Sequence, residues 1–529
     1  MPGPSALQDP PIRIVGAGVG GLAAAIKLAS AGYPVQVLER HPNLGGKMRA
    51  FEVDGMKVPC GPTVFTMRWV FEALFAAASR SLDQELQLTP LPVLARHAWS
   101  ADERLDLLAD PAASKQAIAE FSSLDQARRF EVFCAEAKHI HDHLIEPFIK
   151  AQRPDLWSMM HRLGAKGLLA LTGLGPFRSL WSRLGRHFPD PRLQQLFGRY
   201  ATYCGTSPWL APATLVLIAH VEMQGVWAIH GGMPALAEAL AGCARSMGVD
   251  IRCGLGVEKI YTTQQQVSAI ETSEAERLPT RHLIYNGDVR ALGQGLLGAD
   301  PAPSFSRAAR APHSLSALTW CLKAQAKGFE LSHHNVFFDS DYRSEFNDVF
   351  ESHRLPHRAT VYLCAPNRLK QTKCDQAEPM LLLVNAPARR GKEDPEIDLQ
   401  EIEQCQHRML HMLEARGLSL NFTAAQSLIT PPSAFAAHFP GSGGALYGPA
   451  ANGWMATFAR EQARSPLRGL YLAGGTVHPG PGVPMAAMSG ILAAEALMAD
   501  RALTRQFHPG ATFGGTSMPS ATMSDTASH

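Results

Sequence analysis

Gly16, Gly18 and Gly21 keep the spacing G-x-G-x-x-G, and Glu39 stands 23 positions after the first of them. These residue types at this spacing bind a dinucleotide. A glycine in a tight turn brings the backbone up to a pyrophosphate, and the third glycine lets a helix pack closely on its strand. The helix N-terminus then offers its N–H groups to the phosphates, and the carboxylate takes the ribose hydroxyls. The contact residues implied are Gly16, Ala17, Gly18, Gly20, Gly21, Glu39 and Arg40. In the next stretch, GGKMR, Gly45 and Gly46 supply further backbone amides, while Lys47 and Arg49 supply positive charge. Neither a Ser/His/Asp nor a Cys/His signature of nucleophilic catalysis stands out.

Specific elements must hold these residues. The apolar run IRIV (12–15) reads as a strand entering the glycine turn, and LAAAIKLASAG as a helix stopped by Gly32. PVQVLE is a second strand ending in Glu39. Far downstream, LYLAGG (470–475) reads as a buried strand and glycine turn, followed by a Pro-stiffened loop and a small-residue helix from near Met485. Between them, residues 231–260 predict a helix from Pro234 to Met247, a stop at Gly248, a strand around Ile251, and strand positions at Val257 and Ile260. Residues 281–289, RHLIYNGDV, predict a returning strand. The dinucleotide domain is thus expected to be discontinuous, over 1–95, 225–290 and 455–500. A second domain, over 96–224 and 291–454, is interwoven with it. It opens with helices: Asp110-Pro111 is a cap pair, and Phe130, Phe133, Ala137, Ile140 and Leu144 keep near-helical spacing. Later apolar strands such as ATVYLCAP and PMLLLVNAP suit a sheet floor under a tunnel. Residues 501–529 are expected to be a disordered tail.

The second glycine pair after the acidic strand resembles the two-domain flavoproteins that include amine oxidases and carotenoid desaturases. CGPTVFTMRWVFEALF, QQLFGRYATYCGTSPWLAPATL, GGMPALAEAL, HHNVFFDSDYRSEF and the HPGPGVP loop are similar to the phytoene desaturase type of carotenoid desaturase. The resemblance covers nearly the whole chain before the tail. GPTVFTMRWVF is closest to the 1-hydroxycarotenoid 3,4-desaturases (methoxyneurosporene desaturases) of purple bacteria. It implies an α/β fold: a Rossmann-like FAD-binding domain of the amine oxidase/carotenoid desaturase type with an interwoven α+β substrate domain. It places Val257 against the adenine, and Gly474, Gly475, Pro484 and Met485 along the isoalloxazine and pyrophosphate. The reaction implied removes two hydrogens from adjacent carbons of an acyclic carotenoid, a hydride to the flavin and a proton to an acceptor that no motif identifies. His478 and Arg68 are candidate polar groups near the ring, with Asp341 and Tyr342 further candidates in the substrate domain. Many relatives carry an aspartate where this chain has Pro59. Alternatives are a phytoene desaturase, a carotenoid isomerase or retinol saturase-like enzyme, and a flavin-free lipid-binding chaperone on the same fold.

Composition narrows the partners. Hydrophobic residues make up 46%, charged residues only 18%, and the net charge is +2. Such a chain has ample core but no global charge for binding nucleic acid. Nine scattered cysteines without a C-x-x-C pair predict reduced thiols. The opening residues lack the features of a secretory signal, and no stretch reads as a membrane-spanning run. The informative patch is Arg153 to Arg192, with seven Lys/Arg interleaved with Trp157, Leu168, Leu169, Phe177 and Trp181. That mixture predicts a monotopic membrane contact, hence a cytoplasmic protein held peripherally on the inner membrane. His139 and His143 stand one helical turn apart around His141 but lack acidic companions, so no metal is expected. No motif selects a terminal electron acceptor.

Overall fold

The computed structural model describes residues 10–152, 178–369, 376–391, 394, 396–453, 456 and 458–507. Ile12–Val15 and Val35–Glu39 pair in parallel, Ile12 opposite Val35 and Val15 opposite Leu38. Both are almost wholly buried, which is why they read as unbroken apolar runs rather than alternating ones. The helix Val19–Ser30 joins them and buries Leu22, Ile26, Leu28 and its alanines. The complete sheet is five-stranded and parallel, in the order Leu470–Leu472, Leu283–Tyr285, Ile12–Val15, Val35–Glu39, Asp250–Cys253. Its strands come from three remote parts of the chain.

The last helix, Val483–Phe507, starts two residues before Met485 and crosses Val19–Ser30 at very short range. The crossing depends on small residues: a Cβ on Gly490 would lie 2.0 Å from the Gly20 carbonyl oxygen. This helix corrects one expectation. Its segment Val483–Leu503 is long and apolar enough, at mean hydropathy 1.3, to cross a membrane, but 67% of it is buried inside the protein. Packing on several sides requires apolar residues around most of the helix, which explains the composition.

A second, eight-stranded sheet carries the substrate domain. Its order is Ser419–Asn421, Ser316–Lys327, Glu378–Ala386, Val361–Cys364, His334–Phe337, Val93–Ala98, Arg104–Leu108, with Ser427–Thr430 also paired to Ser316–Lys327. Side chains of its central strands alternate between the two faces. Leu318, Trp320, Val361, Leu363, Leu382 and Val384 face a core shared with Met409 and Leu413 of the helix Leu399–Ala415. Thr319, Thr360, Tyr362, Leu381, Leu383 and Asn385 face a large cavity. Three expected boundaries shift. The last helix continues to Phe507, so residues 501–507 belong to it and not to a disordered tail. Residue 95 falls inside Val93–Ala98, a strand of this second sheet. Beyond 291, Leu292, Leu297 and Phe305 still pack with Leu38, Leu283 and Leu470 of the dinucleotide domain.

Helices wall the cavity opposite the sheet. Asp110 caps Pro111–Phe121 by accepting from the Ala112 N–H at 3.0 Å. The five spaced apolar residues from Phe130 to Leu144 are buried along Leu124–Leu144. That helix runs on into a π-helical turn, Ile145–Ile149, which places Phe148 and Ile149 in the cavity wall.

Candidate active site

One cavity of about 900 Å³ joins the two domains. Gly16, Gly18, Gly20, Glu39, Arg40 and Val257 line it, as do Gly45, Gly46, Lys47, Gly474, Gly475, Pro484 and Met485. Those residues come from stretches more than 450 positions apart in the chain, and the fold gathers them in one place. Ala17 and Gly21 stand behind the lining. The Ala17 N–H donates to Glu39 Oε2 at 2.7 Å, and the His41 N–H donates to Oε1 at 2.9 Å, so the carboxylate is held at the strand end. A Cβ on Gly21 would lie 2.1 Å from the Gly16 oxygen, which makes its role helix–strand packing rather than ligand contact.

The cradle fits FAD. Two helix N-termini, those of Val19–Ser30 and Val483–Phe507, open on it and present N–H groups to a pyrophosphate. A Cβ on Gly20 would come within 2.9 Å of the Ala486 oxygen and 3.0 Å of the Gly474 nitrogen, so the glycines allow the two turns to meet. Lys47 is half-buried, its Nζ donating to the Leu446 oxygen at 2.6 Å, and desolvation brings its pKa down to about 8. Arg49 also lines the cavity, with its guanidinium against Phe51, Phe435 and Phe439.

Three residues of this cradle escape a reading of the sequence. Asn286 donates from Nδ2 to the Gly16 oxygen at 3.1 Å and stands within reach of Gly18, Gly20 and Gly474. Asp288 caps Val289–Gly293 by accepting from the Arg290 N–H, and its burial raises its pKa. Arg460 is buried and donates to the carbonyls of Pro449, Tyr447, Gly475 and Thr476, which ties the glycine turn to the substrate domain. Asn286 follows the predicted strand directly, so strand–Asn–Gly was the available signal. Nothing in the sequence around Arg460 distinguishes it.

The apolar part of the cavity is walled by Leu144, Phe148, Leu217, Ile218, Val221, Leu381, Leu383 and Phe458. Its polar groups come in small clusters. Glu222 accepts from Tyr200 at 2.8 Å, from Tyr203 at 2.9 Å and from Arg199 at 3.3 Å. Glu345, fully buried, accepts from the Thr360 N–H and hydroxyl and from Asn385 Nδ2 at 2.6–3.0 Å, and burial raises its pKa to about 7. Tyr362 lies between Thr63 and His334.

The polar candidates separate. Arg68 is no part of the cavity lining: it begins the helix Arg68–Ala77 and pairs with Glu72 at 2.7 Å and Asp83 at 2.5 Å near the surface. His478 is buried beneath the glycine–proline loop, its Nε2 3.1 Å from the Ala151 oxygen and its ring edge-on to Phe148. Burial lowers its pKa to about 4, and the lining passes to its neighbour Pro479. Asp341 caps Tyr342–Phe350 through the Ser344 N–H, while Tyr342 does line the cavity. Pro59 lies at the open end of a hairpin, opposite Ala50, and packs on Gly232.

Of the expected membrane contacts, Trp157, Leu168, Leu169 and Phe177 lie outside the described residues. Trp181 is turned inward against Trp209 and Tyr342, a correction that follows from its place at the start of the helix Leu180–His187. Arg183 is paired with Glu136, and Arg192 with Asp190 and Glu103, whereas Arg178 and Arg186 are exposed. His139 and His143 meet with tilted rings on an exposed helix face. Among the described residues, His141, Asp142 and His220 form one group of metal-ligand type side chains, and His333, His334 and Cys364 another. In the second group His334 is committed through Nδ1 to Tyr362.

Comparison with known proteins agrees with this cradle. The family model described as flavin containing amine oxidoreductase matches residues 19–498. The chain is 50% identical over 513 residues to a hydroxyneurosporene desaturase of Rubrivivax gelatinosus, covering 97% of each chain. It is 42% identical to the protein of that name from Rhodobacter capsulatus, over 93% of this chain and 98% of the relative. Among solved structures, putrescine oxidase bound to putrescine aligns at TM-score 0.58 and 14% identity, over 93% of this chain and 99% of that one. Cyclohexylamine oxidase from Brevibacterium oxydans aligns at TM-score 0.55 and 16% identity, over 93% and 100%. These distant structures share the fold. The intact glycine–glutamate cradle, the family match and the half-identical desaturase together make this chain an FAD-dependent oxidoreductase that belongs to the flavin containing amine oxidoreductase family, in its carotenoid desaturase branch.

Proposed function

We propose that the protein desaturates the 3,4 bond of an acyclic carotenoid bearing oxygen at C1, such as 1-hydroxyneurosporene or methoxyneurosporene. The observation that carries the reading is one cavity continuous from the dinucleotide cradle into an apolar chamber, in a chain half-identical to a hydroxyneurosporene desaturase. FAD, when bound, supplies the two-electron acceptor for the hydride that leaves carbon. The protein's own part is positioning. Leu217, Ile218, Val221, Leu381 and Leu383 hold a polyene by contact, exclude water and keep one carbon–carbon bond in place. Lys47 and the two helix N-termini hold the anionic part of the cofactor.

A C40 polyene resides in lipid, so the enzyme works as a peripheral protein at the cytoplasmic face of the membrane. The Lys/Arg-rich stretch from Arg153 to Arg192, in which Arg178 and Arg186 are exposed, supports that contact. The test is incubation of the flavin-loaded protein with liposomes carrying neurosporene, 1-hydroxyneurosporene or phytoene, with products separated by chromatography. The 1-hydroxy compound is expected to be converted fastest. Preference for phytoene, or equal conversion of neurosporene, refutes the reading.

A further inference from the structure

A carotenoid with a tertiary oxygen at C1 brings one polar atom into an apolar chamber. Burying that oxygen without a partner carries a desolvation penalty, so a site that selects it needs a hydrogen-bond group with spare capacity. Two of the polar clusters in the cavity wall are engaged internally. Tyr203 and Arg199 are engaged with Glu222 and with each other. Thr360 spends both its N–H and its hydroxyl on Glu345, and Asn385 donates to the same carboxylate.

The third cluster differs. Tyr362 Oη lies 2.6 Å from Thr63 Oγ1 and 2.7 Å from His334 Nδ1. Tyr362 and Thr63 line the cavity, whereas His334 is 2% exposed behind them. His334 Nε2 is buried and has no hydrogen-bond partner among the described residues. Burial, with His333 and Arg199 nearby, holds the imidazole far below its ordinary pKa, so the ring is neutral and carries one N–H. A buried N–H without an acceptor is rarer and costlier than an unused lone pair, so the proton belongs on Nδ1, where Tyr362 accepts it.

The proton count follows. His334, Tyr362 and Thr63 bring three donors, and their two mutual contacts use two. One O–H is left, on Tyr362 or on Thr63 according to which donates to the other, and both residues face the cavity. The Cys364 thiol beside Tyr362 is only a weak partner and does not compete for it. With the opposite tautomer the two contacts would consume both hydroxyl protons and leave the cluster an acceptor only.

We propose that Tyr362 and Thr63, oriented by His334, form the substrate-selecting site that donates a hydrogen bond to the C1 oxygen of the carotenoid. Because the cluster donates, it serves a hydroxyl and a methyl ether alike. His334 acts as a positioning residue. This inference rests on the 1-oxygenated substrate reading and deepens it.

The test uses the full-length, flavin-loaded enzyme with phosphatidylcholine liposomes containing neurosporene, 1-hydroxyneurosporene or its methyl ether. kcat and KM are measured for wild type, Tyr362→Phe, Thr63→Val and Thr63→Ser. In wild type both oxygenated substrates should exceed neurosporene in kcat/KM. Tyr362→Phe and Thr63→Val should each shrink that preference roughly tenfold, mainly through KM, the size expected for one lost buried hydrogen bond. Thr63→Ser, which keeps the hydroxyl, should keep the preference. Flavin content of each variant, read from its absorbance, reports whether the cradle has stayed intact. A wild-type enzyme indifferent to the C1 oxygen refutes the substrate reading before any variant is made. A discriminating wild type whose preference survives both Tyr362→Phe and Thr63→Val overturns the selecting site instead. Rejection of the ether with acceptance of the alcohol overturns the donor assignment.

Discussion

The same substitution, glycine to alanine inside a helix, should act in opposite directions at two places. Gly242 lies in the helix Met233–Ser246, and a Cβ there meets nothing within 4 Å. Gly242→Ala should therefore collect the ordinary helix-propensity gain of about 1 kcal/mol. Gly490 lies where Val483–Phe507 crosses Val19–Ser30. A Cβ there would stand 2.0 Å from Gly20 O, 2.8 Å from Gly20 C and 3.1 Å from Ala24 N. All three are backbone atoms, so no rotamer change relieves the clash. Ordinary contact begins at 3.4 Å, and the helices must part by about 1.4 Å. Overpacking of this kind costs roughly 1–3 kcal/mol, here toward the upper end, leaving a net loss of about 2 kcal/mol after the propensity gain. The same movement draws apart the two helix N-termini that open on the dinucleotide, for a further loss of roughly fivefold in FAD affinity. Urea denaturation of the two variants, with the flavin-to-protein absorbance ratio of each, provides the measurement. Gly242→Ala should be the more stable by about 3 kcal/mol and keep its flavin. A Gly490→Ala protein as stable as Gly242→Ala, with stoichiometric FAD, would refute the close crossing as the element that shapes the cradle.

Two pH experiments test the cradle and the substrate chamber separately. Burial depresses Lys47 to about 8 from an ordinary 10.5. Above pH 8 the apoprotein's Lys47 is neutral and must take up a proton to meet an anionic pyrophosphate, so FAD affinity should fall as pH climbs from 8 toward 9.5, by at most about tenfold per unit. Lys47→Arg should flatten that dependence in a fluorescence titration with FAD, and parallel curves would rule Lys47 out. Glu345 is raised to about 7 from 4.5 by burial. Between those values the folded state holds a proton that the unfolded state has lost, so stability falls as pH rises through 4.5 to 7 and stays low above it, by about 3 kcal/mol at most. Glu345→Gln, followed by urea midpoints at pH 5 and 8, should lose that slope, whereas a slope equal to wild type's excludes Glu345 as its source.

The dinucleotide half of the molecule is legible in the sequence because its chemistry is done by backbone. Gly16, Gly20, Gly45 and Gly474 are required by close approach and φ, and only glycine meets the requirement, so the letters carry the geometry. The strands IRIV and PVQVLE are buried on both sides, and Gly32 ends the helix between them for a local reason. The substrate half obeys a different logic. Thr360, Tyr362, Leu381, Leu383 and Asn385 face the cavity only because two antiparallel strands alternate in one register, Tyr362 opposite Leu383 and Leu363 opposite Leu382. A shift of one residue would turn Tyr362 into the hydrophobic core and Leu363 into the cavity. Register is a long-range property, so a reader of the chain sees VYLC and LLLV but not which letters face the polyene. The same limit misplaces Arg68 and Trp181, whose sequence neighbours line the cavity or resemble a membrane face while pairings with Asp83 and Trp209 decide where each side chain goes. It also explains where the charge goes in a chain with only 18% charged residues. Arg199 and Glu222 form a neutralised pair in the cavity wall, and Arg368 and Glu378 another pair buried in the fold, so the chamber offers an oil-like substrate mainly apolar contacts. Against such a wall a single spare hydroxyl proton suffices to distinguish a carotenoid with a terminal oxygen from one without.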